Sequence, residues 1–165
     1  MKKKRVKLGL ALGSGGARGL VHLGVLKVLE EEGIRPDCIA GTSMGAAIGA
    51  FYSIGHDVSG MVYITKSTNW KKIMDFAIPK SGLIKGELIE YKLRNLLQNR
   101  DFKELHTKLA VVAYNLTKQK KVVFTKGNVA KAVRASISIP GIFSPTTIDG
   151  DKYIDGVVSD PTPFN

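Results

Sequence analysis

Gly41-Thr42-Ser43-Met44-Gly45 places a serine two residues from a glycine on either side, the spacing at which a strand can turn abruptly into a helix with a nucleophile at the bend. Asp37-Cys38-Ile39-Ala40 before it reads as a short buried strand, and Ala46 to Phe51 after it as a tightly packed helix. Glycine at 41 and 45 lets strand and helix approach closely while the serine Oγ points outward. By itself the pentapeptide also fits a helix N-terminus capped by Thr42 or Ser43. A second glycine cluster, Gly13-Ser14-Gly15-Gly16-Ala17-Arg18-Gly19, follows the apolar run Val6 to Leu12. It leads into a helix whose apolar residues Leu20, Leu23, Leu26, Val28 and Leu29 recur at three- and four-residue spacing up to a stop at Gly33. Strand, glycine loop and helix N-terminus in that order present unpaired backbone N–H groups to an anion, either a phosphate or a transient oxyanion. Spacing argues against nucleotide: Arg18 stands where G-x-G-x-x-G needs its third glycine, and no Gly-Lys-Ser/Thr ending is present. Two successive βα units set such a nest near Ser43, at the carboxyl ends of adjacent parallel strands.

A nucleophilic serine needs a base. An ordinary α/β-hydrolase runs Ser, then Asp or Glu, then His along the chain, but His22, His56 and His106 all precede the carboxylates of the C-terminal third. His22 reads as a packed or surface residue of the first helix, His56 and His106 as surface residues. A carboxylate acting directly on the serine is the economical alternative. Two Asp-Gly pairs compete for that role. Asp149-Gly150 separates two short β-like runs and reads as a hairpin turn. Asp155-Gly156 lies between Tyr153-Ile154 and Val157-Val158, an apolar setting whose desolvation would raise the basicity of the carboxylate, although a plain second turn fits the same residues.

Four blocks in order resemble the patatin-like phospholipases, specifically their bacterial members: the loop Gly13 to Gly19, the elbow Gly41 to Gly45, Ala135-Ser136-Ile137-Ser138-Ile139-Pro140-Gly141-Ile142-Phe143-Ser144-Pro145, and Asp155-Gly156. The resemblance spans residues 6–163 and implies one patatin-like domain over 1–165, with the C-terminal part of the usual domain missing. It implies Ser43 as nucleophile and Asp155 as general base, a Ser-Asp dyad without histidine. The oxyanion loop maps onto Gly15, Gly16 and Arg18, and the Ser-Ile-Pro block onto a loop packing beside the site. Val157 stands where the family usually has Gly or Ala. The implied activity is hydrolysis of a lipid acyl ester through an acyl-enzyme, with neither metal nor organic cofactor. A non-catalytic lipid-binding or regulatory module, or an acyltransferase using the same acyl-enzyme, are the rival readings.

The elements that must position these residues form a three-layer α/β/α domain with a mostly parallel central sheet. Val58 to Ile64 reads as a helix, and Gly86 to Leu97 as an amphipathic helix with Leu88, Ile89, Leu93, Leu96 and Leu97 along one side. Lys108 to Asn115 and Lys120 to Thr125 read as two strands joined by a polar turn, and Asn128 to Ser136 as a helix capped by Asn128. Trp70, Ile73, Met74, Phe76 and Ile78, followed by Pro79-Lys80-Ser81-Gly82, read as core plus loop or as a lid over an acyl chain. With 165 residues and 44% apolar content the chain can bury a core of single-domain size. Its single cysteine, Cys38, cannot form an internal disulfide and reads as a small buried group in a reducing compartment. No segment approaches the roughly 20 apolar residues needed to cross a bilayer, and the Lys2-Lys3-Lys4-Arg5 start runs straight into the first strand, so the expected location is cytoplasmic. The net charge of +11 comes with no zinc-ligand set or aromatic RNA-binding motif, which argues against nucleic acid. Peripheral contact with an anionic membrane face, at about 1 kcal/mol per well-placed basic residue, is the functional reading of that charge; a merely solvated basic surface is the bland one.

Overall fold

The computed structural model describes residues 6–68 and 84–164, so the segment expected as a lid or loop, Trp70 to Gly82, lies outside the described residues. β1 (Gly9–Leu12) runs into a short 3-10 helix (Gly16–Leu20), α1 (Val21–Glu31), β2 (Cys38–Thr42), α2 (Met44–Ser53) and α3 (Val58–Ser67). Then follow α4 (Glu87–Leu96), β3 (Lys108–Asn115), β4 (Lys120–Phe124), α5 (Val129–Ser136), β5 (Thr146–Ile148) and β6 (Asp151–Asp155). The sequence signals act locally as anticipated. Gly33 takes φ +65 just beyond α1, the Asn128 side chain accepts the Lys131 N–H to start α5, and Asp149-Gly150 turns β5 into β6. The Asp57 side chain caps α3 through the Gly60 N–H, a start that the composition alone did not single out.

The sheet has six strands in the order β1-β2-β3-β6-β5, with β4 also paired to β3. β1, β2 and β3 are parallel; β4 and β6 run antiparallel to β3, and β5 antiparallel to β6, so four of the six strands point the same way. β3 is long enough to serve three partners. One edge carries β4 at residues 111–115. Along the opposite edge β2 occupies residues 108–112 and β6 occupies 113–115, approaching from the other direction. The carboxyl ends of β2 and β6 therefore meet head-on at Val112 and Ala113.

All five described helices contribute to one apolar cluster with the sheet face that carries Leu12, Ile39, Leu109 and Val111. α2 lies against this face through Gly45, Ala46, Gly49 and Ala50, whose small size allows the close seat. α4 buries Ile89 and Leu93 and turns Glu90 and Arg94 outward as an i,i+4 pair at 2.9 Å. α1 buries Leu23 and Leu26 but leaves Val28, expected on its inner side, 56% exposed. Cys38 is likewise exposed rather than buried, because strand alternation sends it to the face opposite Ile39.

Candidate functional site

β2 ends at Thr42, and the next residue leaves the sheet with φ 55 and ψ −121, a strained backbone for a non-glycine residue, before α2 begins at Met44. Gly41 and Gly45 make that bend sterically feasible. A Cβ on Gly41 would lie 2.6 Å from the Ala46 N and Cα, and one on Gly45 would overlap the Leu12 carbonyl and approach the Gly13 carbonyl to 2.6 Å. Ser43 Oγ donates to Asp155 Oδ2 at 2.7 Å, across 112 residues of sequence, and the two residues are 5% and 1% exposed. Asp155 closes β6 at the meeting point with β2. Its other oxygen accepts the Val157 N–H at 2.9 Å, and its own N–H donates to the Ser138 carbonyl at 2.9 Å. Burial pushes the Asp155 carboxyl above the ordinary carboxylate range, with the hydrogen bonds from the Ser43 hydroxyl and the Val157 amide working in the opposite direction. A carboxylate with raised proton affinity, 2.7 Å from a hydroxyl, can act as its base.

The glycine loop wraps the start of α2. Gly13 abuts Gly45, and a Cβ on Gly19 would come within 2.7 Å of the Met44 side chain. Gly16 is exposed in a left-handed conformation, φ +53, with open space around its Cα. The Arg18 N–H is used inside the loop, donating to the Gly15 carbonyl at 3.0 Å, and the Arg18 side chain is exposed. The N–H groups of Gly15 and Gly16 have no acceptor among the described residues. The loop therefore leaves the amides of Gly15 and Gly16 unpaired among the described residues, while the Arg18 amide closes its turn. The segment after Asp155 returns across this loop: Ser14 N–H donates to the Pro161 carbonyl and Thr42 Oγ1 to the Asp160 carbonyl, both at 2.8 Å.

None of the three histidines bonds Ser43 or Asp155 among the described residues. His22 Nε2 instead meets the Gly13 carbonyl at 2.8 Å and so steadies the loop. His56 is half-buried with its ring tilted against Phe51, deeper than a surface position, and His106 is exposed. The residues from Arg134 onward hold the Ser43–Asp155 pair from behind in a way their types did not announce. Ser136 Oγ accepts the Ser43 N–H and donates to the Val112 carbonyl. Arg134, 2% exposed, donates to Gly86 O, Lys85 O, Ser144 O and Ser138 Oγ, and lies over the Phe143 ring. The available signal was a cation and two serines in a helix end otherwise built of small apolar residues.

The family described as patatin-like phospholipase matches residues 10–165. An uncharacterised NTE family protein of Mycobacterium bovis is 36% identical over 161 residues, which cover 96% of this chain and 44% of that protein. A lysophospholipase NTE1 of Pyricularia oryzae is 29% identical over 155 residues, covering 90% of this chain and 10% of the fungal one. The chain thus spans less than half the length of these relatives. Among solved structures, VipD from Legionella pneumophila superposes with a TM-score of 0.74 at 15% identity, covering 93% of this chain and 46% of that one. Family and fold agree on the patatin-like three-layer α/β/α class, to which the described residues contribute the sheet and the helical layer on its Leu12–Val111 face.

Proposed function

Because this chain belongs to the patatin-like phospholipase family, we propose that it is a serine acyl-ester hydrolase of lipids that works through a Ser43–Asp155 dyad. The observation that carries the reading is the buried 2.7 Å hydrogen bond from Ser43 Oγ to a carboxylate of raised proton affinity. Asp155 Oδ2 takes the Ser43 proton as Oγ attacks the ester carbonyl carbon, and the carbonyl π pair moves onto its oxygen. The N–H groups of Gly15 and Gly16 hold that oxyanion. Collapse of the tetrahedral intermediate breaks the bond to the alcohol oxygen, which leaves with the proton from Asp155. Water then gives a proton to Asp155 and attacks the acyl-serine; expulsion of Oγ, reprotonated by Asp155, releases the fatty acid. The dyad completes the cycle without a metal or organic cofactor.

The lysophospholipase name of the fungal relative supports single-chain phospholipids among the esters accepted. No helix among the described residues is long and apolar enough to cross a membrane. The net charge of +11 supports contact with its substrate at an anionic membrane face, in a protein read as cytoplasmic. Salt-sensitive co-sedimentation with phosphatidylglycerol vesicles, and none with phosphatidylcholine vesicles, is the expected behaviour. The reading of the site is tested by fluorophosphonate labelling of the 165-residue chain followed by peptide mapping. Ser43 is the expected adduct, and Ser43→Ala abolishes both label and hydrolysis of a short-chain chromogenic ester. A folded chain with Ser43 unmodified returns the protein to the class of lipid-binding modules.

A further inference from the structure

We propose that the Ser136 hydroxyl is the positioning group for the nucleophile, a role that rests on the hydrolase reading above. β2 and β6 end against each other on one edge of β3, so the backbone groups at the seam lack the strand partner that a continuous edge would supply. The Ser43 N–H and the Val112 carbonyl are two such groups. Ser136 Oγ bridges them, accepting from Ser43 at 2.8 Å and donating to Val112 at 2.6 Å. Ser136 is fully buried, which leaves these groups no exposed route to an alternative partner.

The bridge has a geometric effect. It takes the place of a direct strand-to-strand bond and holds Ser43 away from the β3 backbone by the width of one hydroxyl. At that stand-off the backbone of Ser43 adopts φ 55 and ψ −121, and its Oγ meets Asp155. Two residues further on, the Ser138 carbonyl accepts the Asp155 N–H at 2.9 Å, so one helix end fixes both members of the dyad. Arg134 Nη1, at 2.6 Å from Ser138 Oγ, anchors that end in turn. Ser136 touches neither the reacting atoms nor the Asp155 carboxylate. It acts through the backbone of Ser43.

The test compares Ser136→Ala and Ser136→Cys, which remove the hydroxyl and, for Cys, keep the volume, against wild type already shown to label at Ser43. Expected in both is a fall of roughly 10- to 100-fold in the rate of fluorophosphonate labelling and in kcat, the usual scale for a nucleophile displaced by about 1 Å, with KM within about 2-fold of wild type. The acidic limb of the pH-rate profile moves upward, because a displaced Ser43 withdraws the hydrogen bond that lowers the Asp155 proton affinity; general loosening of the site would hydrate the carboxylate and move the limb downward. In wild-type protein the Ser43 amide resists hydrogen exchange to the same degree as the β2 and β3 core amides, a measurement that does not depend on the variants folding. Labelling within about 2-fold of wild type in a folded variant, a pH limb moved downward, or a rapidly exchanging Ser43 amide overturns the proposal. Failure of wild type to label at Ser43 overturns the hydrolase reading first, and this proposal with it.

Discussion

Gly45→Ala should damage stability and nucleophile together, because the added methyl has nowhere to go. The three atoms nearest the new Cβ are the Leu12 carbonyl oxygen, the Leu12 carbonyl carbon and the Gly13 carbonyl oxygen, all backbone and all under 3.0 Å. No rotamer change relieves such a contact, so the first turn of α2 must retreat from β1 by about 1 Å. Overpacking of this kind costs about 1–3 kcal/mol, and an entirely backbone clash belongs at the upper end. For a chain of this size each kcal/mol lowers Tm by about 2–4 °C, which puts the expected loss at about 6–12 °C. The same retreat moves Ser43, the residue before the helix, away from the 2.7 Å contact with Asp155, and a misplacement of about 1 Å costs about 10²-fold in rate. Thermal unfolding by circular dichroism gives the first number and the rate of fluorophosphonate labelling the second. A variant that melts within about 1 °C of wild type and labels at the wild-type rate would show that α2 is not seated on the β1 carbonyls.

Asp155→Asn keeps the shape but removes the base, so hydrolysis should fall near background. The wild-type pH-rate profile should carry an acidic limb above the free-carboxylate range, since burial raises the Asp155 pKa and only the ionised form accepts the serine proton. For stability the sign is opposite to that of an ion-paired carboxylate. The folded state holds the Asp155 proton more tightly than the unfolded chain, so wild type loses stability as pH rises from 3.8 to the raised folded value; pH-dependent melting of Asp155→Asn should lack that slope. His22→Gln, His56→Gln and His106→Gln, assayed one at a time, should each retain substantial activity; one folded histidine variant as inactive as Asp155→Asn would demote Asp155 to orienting that histidine. Gly16→Ala meets no atom within 4 Å but places a side chain at φ +53, so the fold should lose only about 1–2 kcal/mol while turnover falls about 10²-fold through a misdirected oxyanion donor. Full turnover in that variant would reduce the loop to a helix start, and Arg18→Ala should be milder because the Arg18 amide is already committed to Gly15.

Ser43 and Asp155 were legible because each is announced by its immediate neighbours, an elbow bracketed by small residues and an acid at the end of a hairpin strand. Helix starts and stops were legible for the same reason, as Asn128 and Gly33 illustrate. What the sequence withheld depends on which face looks inward. Cys38 and Val28 fit an apolar pattern, but the described helices share one side of the sheet and both residues point elsewhere. The family resemblance put the block carrying Ser136 beside the site, but the role of Ser136 itself was hidden, for a different reason. Its value comes from a bond to Ser43, 93 residues away, and another to a backbone carbonyl, which leaves no trace in residue type. Arg134 likewise spends its donors chiefly on carbonyls, so a buried organiser looks like a cation on a solvated helix.

The head-on meeting of β2 and β6 also orders events during synthesis. Ser43 leaves the ribosome 112 residues before Asp155, an interval of about 6–22 s at ordinary translation rates of about 5–20 residues/s. Throughout it the nascent chain has its elbow and glycine loop but nothing to draw off the serine proton. On the proposed dyad, esterase activity can begin only after β6 docks against β3, and a chain released before Asp155 carries the nucleophile without its base.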